Sequence, residues 1–228
     1  MEIFNKIGQV LTADITKDFK LKKRHEAETS KMTFVDQLKK RRSIYHLGKK
    51  VHFSQSYIAS LIQEAVQSCP SAFNSQSTRV AVLFGDSHLK FWNIVKEVQK
   101  RHVPSTVFEG VEVKIDQIIA AYGTVVFYED QDVIHHMQKQ MPISAEDFPA
   151  WSEQTSGMAQ FAVWTALADS GLGASLQHYN PVINQVVASY FDIAPNWLMR
   201  AQLVFGSVEA WPEEKEQDTD TDKFKIYA

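Results

Sequence analysis

Two short β-branched runs constrain this chain more than any other feature. RVAVLF (Arg79–Phe84) is bounded by Gly85, and TVVFY (Thr124–Tyr128) follows Gly123. Each reads as a buried strand, and each is reached through a stretch with helical periodicity. Ahead of the first, Ser54 is placed to cap a helix in which Ile58, Leu61, Ile62, Ala65 and Val66 recur at helical spacing, and Pro70 stops it. Earlier still, Phe34, Val35 and Leu38 share one face of a helix that ends in Lys39-Lys40-Arg41-Arg42. Asp86 is expected to cap a helix through Leu89, Trp92 and Val95, and a further helix is expected over Val113 to Ala121, closed by Gly123.

The second half continues the pattern. A helix-rich stretch runs from Val133, interrupted by Pro142 and Pro149. A long helix over Trp151–Ser170 puts Met158, Ala162, Val163, Ala166 and Leu167 on an apolar face, and Gly171-Leu172-Gly173 turns out of it. ASLQHY is a strand-like exit, and Asn180-Pro181 is expected to open another helix. Leu198–Val208 is the last long strand, and KFKIY is expected to add a short one. The pattern specifies an α+β or α/β class, with helices packed over a sheet of four or five strands.

At 228 residues the chain has room for one domain with an appendage. Residues 1–33 read as that appendage, an N-terminal helical and basic arm: Ile3, Phe4, Ile7, Val10 and Leu11 suit a short amphipathic helix, and KDFKLKKRHEAETSK after it is polar. Residues 34–228 hold the core pattern. The formal net charge of −3 argues against a nucleic-acid binder resting on bulk charge. That total conceals a basic stretch over residues 1–42 and the acidic run EEKEQDTDTD at 213–222. Charge runs at chain ends are usually solvated, so the basic run gains meaning only with other groups beside it. Cys69 is the single cysteine, which excludes an intramolecular disulfide and a cysteine-rich zinc framework. No apolar run approaches the roughly 20 residues that cross a bilayer, and the N-terminus lacks the apolar core of a secretory signal. The expectation is a soluble cytoplasmic protein with no membrane partner.

HExxH, GxSxG, GxGxxG and the P-loop are missing, so the commonest motif-readable hydrolases, nucleotidases and dinucleotide folds have no support. Asp132 and His136 are spaced for one metal but have no third ligand nearby in sequence. Three polar clusters instead sit at element boundaries. Arg41-Arg42-Ser43, with Tyr45 beyond, leaves a helix end and suits a phosphate, which arginine grips bidentately. Pro70-Ser71-Ala72-Phe73-Asn74-Ser75-Gln76 is a small, amide-rich loop between a buried helix and a buried strand. Gln177-His178-Tyr179 follows the glycine turn, and a planar ring edged with N and O atoms wants such partners.

The order of these clusters resembles the flavin-dependent nitroreductase family, nearest to the subgroup of the yeast fatty-acid-repression protein and bacterial copper-induced nitroreductases. The resemblance rests on Arg41 to Tyr45, on Pro70 to Gln76, on Gly171-Leu172-Gly173, and on the Lys215 to Lys225 end. AYGTVVFYED and GASLQHYNP carry the subgroup likeness. It implies an α+β sandwich with a central mixed sheet, an intertwined homodimer, and FMN at the subunit interface. It further implies that Arg41, Arg42 and Ser43 hold the FMN phosphate and ribityl chain, Tyr45 standing where many members have a second basic residue. Pro70, Ser71, Asn74 and Gln76 would serve the flavin from the partner subunit, and Gln177, His178 and Tyr179 would lie along its ring. Gln117 (or Lys114) would face the N1–C2 edge, and Lys215 and Lys223 (or Lys225) would reach the phosphate.

The implied activity is hydride transfer from NADH or NADPH through FMN to a small electron-poor acceptor, nitroaromatic or quinone-like, by a ping-pong route. No protein acid or base is required, so no catalytic side chain is assigned. Phe108, Phe148 and Trp151 are candidates for the substrate mouth, although aromatics at helical spacing are more often core. The alternatives are an FMN enzyme with a different physiological acceptor and a flavin-binding stress-response or regulatory protein with little turnover.

Overall fold

The computed structural model describes residues 33–216 and 223–227. In chain order its elements are α1 (Phe34–Lys40), β1 (His46–Gly48), α2 (Gln55–Gln67), β2 (Thr78–Phe84), α3 (Gly85–His102) and α4 (Ser105–Ile119). There follow β3 (Gly123–Asp130), α5 (Gln131–Gln140), α6 (Phe148–Asp169), β4 (Gly173–Gln177), α7 (Asn184–Phe191) and β5 (Trp197–Ala210). The class is α+β. The strand order is β1-β5-β3-β2, with β4 also paired to β5. Every ladder is antiparallel, and among the described residues the parallel pairing is a single bridge, Ser43 to Ala174. The mixed character expected of the sheet therefore rests on that bridge.

Strand periodicity divides the core. On β3, Val126 and Tyr128 face the layer built by Phe91, Trp92, Val95, Ile115 and Ile118 of α3 and α4. Val125 and Phe127 face the opposite layer, with Ile58 and Ile62 of α2 and Ala159, Val163 and Leu167 of α6. All eight residues of β3 are buried, as a strand with helices on both faces requires. That burial is why TVVFY reads as a continuous apolar run.

Several boundaries differ from the sequence expectation, each for a local reason. Helix α4 starts at Ser105, because Pro104 sets the entry and Val111, Ile115 and Ile118 pack inward despite Gly110. Gly123 belongs to β3, where a side chain would strike the Phe205 ring and the Leu83 carbonyl. Asp86 lies inside the first turn of α3, whose cap position is Phe84. Pro149 opens α6. Asn180 caps nothing: its amide accepts from Gln202 Nε2 (3.1 Å) and donates to the Met199 carbonyl (3.4 Å), and α7 begins only at Asn184. KFKIY forms no strand over its described residues and is exposed. The expected arm over residues 1–33 lies outside the described residues, except for Thr33.

One buried polar group makes the fold sensitive to acid. His88 is 2% exposed, and its Nδ1 shares the Thr124 hydroxyl with the Trp92 indole N–H, each at 2.8 Å. Its Nε2 lacks a partner of good geometry. Burial depresses its pKa to about 4, only partly offset by the Ile119 and Ile118 carbonyls. Between the ordinary value of 6.5 and about 4 the unfolded chain takes up a proton that the folded chain refuses. Stability contributed by this site therefore falls as pH drops through that window, by up to about 3 kcal/mol. Urea unfolding of wild type and His88→Gln at pH 7 and pH 4.5 is expected to show the larger acid loss in wild type. Equal losses would contradict the assignment.

Candidate functional site

The site begins at the end of α1. The chain leaves Lys40 and runs beside β4, where the Ile44 amide donates to the Ala174 carbonyl at 2.9 Å next to the Ser43–Ala174 bridge. This close approach depends on the glycine turn. Gly171 takes a left-handed φ of +79° as α6 ends, a conformation that costs other residues free energy. A Cβ on Gly173 would stand 2.8 Å from Leu47 Cδ2, 2.9 Å from Val208 Cγ2 and 3.1 Å from Ile44 Cβ. The GLG signature is thus architectural. It lets the arginine segment lie against β4, whose continuation is Gln177-His178-Tyr179.

The two arginines are used differently. Arg42 donates to the Glu213 carbonyl at 2.7 Å, which draws the chain two residues ahead of Lys215 onto the site. With Lys40, Gly171, Gly173 and Trp211 it also lines a cleft of about 250 Å³. The Arg41 guanidinium lies over the Trp164 ring (4.5 Å from the centroid) and near the Phe161 ring (5.7 Å), both on α6. Among the described residues this guanidinium makes no hydrogen bond and no ion pair, and its Nε is buried without a partner. Desolvation, then the charge of Arg42, lowers its pKa. A partly desolvated cation without a counter-charge is costly unless an anion completes it. Tyr45, beyond buried Ile44, is exposed.

At the other end of the strip, Gln177 is 5% exposed and donates to Ser175 Oγ, while His178 is exposed. The Tyr179 amide donates to Gln202 Oε1 at 2.9 Å, and its ring meets Trp92 edge-on. Gln202 is wholly buried on β5 and bonds Asn180 as well, so it fixes the exit of β4. Sequence reasoning missed it, although a lone amide inside LMRAQLVFGSV was a visible signal. Lys114 Nζ sits 6.0 Å from the Tyr179 ring centroid, which brings a cation of α4 to this exit. Gln117 is exposed on the same helix, with no contact to Tyr179 among the described residues.

The Pro70–Gln76 loop leaves Pro70, Phe73, Asn74 and Gln76 exposed. The Gln76 amide donates to Ser71 Oγ at 3.0 Å, and Phe73, Asn74 and Gln76 all have positive φ. At its base the Ser77 and Thr78 hydroxyls donate to the buried Glu129 carboxylate at 2.5 and 2.6 Å. Burial raises the Glu129 pKa, and those two hydroxyls oppose the rise. Arg79 pairs with Asp130 at 2.9 Å and donates to the Gln76 carbonyl at 2.7 Å. Phe73 packs on Phe148 and Trp151, so two of the three expected mouth aromatics form one cluster with it; Phe108 stands apart on α4. Among the described residues, no hydrogen bond or ring contact joins this loop to residues 41–43 or 177–179 of the same protomer.

Lys215 and Lys223 are exposed, and the segment between them includes residues outside those described. Among the described residues no group of three potential metal ligands gathers, and no helix is long and apolar enough to cross a membrane. A surface depression of about 540 Å³ is lined by Asp132, His135, His136, Gln138 and Lys139, all on α5.

The nitroreductase family model matches residues 38–207, a span that contains the arginine segment, the loop, the glycine turn and β4 with its exit. The chain belongs to the nitroreductase family. The putative nitroreductase HBN1 of Saccharomyces cerevisiae is 35% identical over 191 residues, covering 80% of this chain and 92% of that protein. The nitroreductase FRM2 of the same yeast is 32% identical over 184 residues, with 80% and 91% covered. Structures of the nitroreductase CinD from Lactococcus lactis, in complex with chloramphenicol and with 4-nitrophenol, superpose with TM-scores of 0.79 and 0.78. Both are 43% identical to this nitroreductase and cover 86% of it and all of CinD.

Proposed function

We propose that this nitroreductase is an FMN-dependent oxidoreductase, passing hydride from NADH or NADPH to a small nitroaromatic or quinone-like acceptor. Family membership supports the oxidoreductase class. The observation that carries the cofactor reading is the bare Arg41 guanidinium at one end of a strip whose other end is Gln177-His178-Tyr179. The residues fit a phosphate-tailed ring ligand: a cation lacking its anion, a hydroxyl at Ser43, and amide and main-chain partners about 10 Å further along β4.

FMN, when bound, supplies the redox chemistry, accepting hydride from the nicotinamide and delivering it to the acceptor. The chain's own residues bind and orient. Arg41 and Ser43 hold the phosphate end, with Lys215 and Lys223 contributing charge from the C-terminal stretch. Arg42 keeps that stretch in place through the Glu213 carbonyl. Gln177, His178 and Tyr179 line the ring edge, and Lys114, in preference to Gln117, places positive charge near it. The Pro70–Gln76 loop has no role toward these residues within its own protomer, which supports a homodimer in which Ser71, Asn74 and Gln76 serve the partner's site. Exposed Met158 and Phe161 on α6 are consistent with a covered face there. The CinD complexes concern acceptor-like nitroaromatics bound to that protein. Steady-state kinetics with NADH and 4-nitrophenol test the reading: parallel double-reciprocal lines are expected, and intersecting lines would overturn the ping-pong route.

A further inference from the structure

Trp164 is an unexpected choice for its position. It belongs to the half-buried flank of α6, beside Val163 and Leu167, where leucine would fill space without a polar atom. Its indole Nε1 is buried and has no hydrogen-bond partner among the described residues, which costs about 1–3 kcal/mol relative to a satisfied donor. What indole offers over leucine is a flat, electron-rich face. The Arg41 guanidinium lies on that face, 4.5 Å from the ring centroid. Tryptophan gives the strongest cation–π attraction of the aromatic residues, and stacking fixes the plane of the guanidinium while leaving its in-plane N–H groups unused.

We infer that Trp164 is a positioning residue, holding Arg41 as a pre-oriented fork for the phosphate of the flavin. Phe161, one helical turn away and 5.7 Å from the same guanidinium, flanks the platform. An arginine free in water loses side-chain entropy when it grips an anion; one already stacked loses less, so the platform raises affinity without touching the ligand. The inference rests on the FMN reading above and adds to it a selectivity for the phosphorylated cofactor.

The test compares FMN with riboflavin, which carries the same ring but no phosphate. Both are titrated into flavin-free wild type and into Trp164→Leu, Trp164→Phe, Arg41→Met and the double variant Trp164→Leu/Arg41→Met, with binding read from quenching of flavin fluorescence. Trp164→Leu is expected to weaken FMN about tenfold and to leave riboflavin within about twofold. Trp164→Phe, which retains a π face, should recover most of the loss. In the Arg41→Met background Trp164→Leu should change the FMN-to-riboflavin ratio no further, since the platform then carries nothing. Retained riboflavin binding shows that each variant is folded. Equal weakening of both flavins, or additive effects in the double variant, would overturn the positioning role while leaving the cofactor reading intact. A wild type that binds neither flavin would overturn both.

Discussion

Replacing Arg41 by alanine is expected to weaken FMN binding by about 10- to 100-fold, the range for loss of a charge-assisted, bidentate contact to phosphate. The thermal stability of the flavin-free protein should barely change. The guanidinium is partly desolvated and has no counter-charge among the described residues, so its removal forfeits stacking on Trp164 and Phe161 and relieves a desolvation cost. Arg42→Ala is expected to act differently, because Arg42 already donates to the Glu213 carbonyl and its loss frees the C-terminal stretch. Titration with FMN and a melting curve of each flavin-free variant separate the two. An Arg41→Ala protein that melts far below wild type and binds FMN normally would show that the arginine belongs to the fold and not to the site.

Gly206→Ala is expected to cost about 2–4 kcal/mol, the range for atoms forced into a packed position with backbone on two sides. A Cβ there would lie 2.3 Å from the Gly48 carbonyl oxygen and 3.0 Å from the Tyr122 amide nitrogen. Neither neighbour is a flexible side-chain end, so the β1 ladder at Gly48–Ser207 must move. For a domain of this size the midpoint of thermal unfolding should fall by roughly 5–15 °C. β1 begins three residues after Ser43, so the same change should loosen the arginine segment and reduce FMN retention. A melting curve unchanged within about 2 °C would show that the β1–β5 edge yields without cost.

Of the two strands expected to be buried, only TVVFY is buried on both faces; RVAVLF ends the sheet path as β2 and is partly buried at all but Leu83. RVAVLF and TVVFY carry enough β-branched and aromatic residues to announce themselves, and the helix over Ile58 and Ile62 shows its face plainly. β1 was invisible because three residues, one a glycine, have no period; the tail of β5 makes them a strand. KFKIY has the alternation of a strand but is no strand over its described residues, and alternation alone does not supply an edge. In the candidate site, the motif order singles out the arginine segment, the loop and the β4 exit as candidates, because each sits at an element boundary where polar residues are otherwise unexplained. The division of labour between Arg41 and Arg42 was not legible, since adjacent residues leaving a helix point to different neighbours. Trp164 lies within the long helix expected over Trp151–Ser170 with nothing in the sequence to mark it, and its contact with Arg41 distinguishes it from core. Gln202 acts from 23 positions beyond Tyr179, a distance that pairing within the sheet closes and local pattern does not.

The function proposed for this chain is to hold FMN on the strip from Arg41 to Tyr179 and to move hydride through it. Its most direct test is an anaerobic titration of the FMN-saturated protein with NADH and with NADPH, followed in the visible flavin band, then addition of 4-nitrophenol or a quinone. Uptake of one FMN per chain, bleaching by at least one nicotinamide, and return of the colour on adding the acceptor are expected. A chain that takes up no FMN, or whose bound FMN neither nicotinamide bleaches, would contradict it.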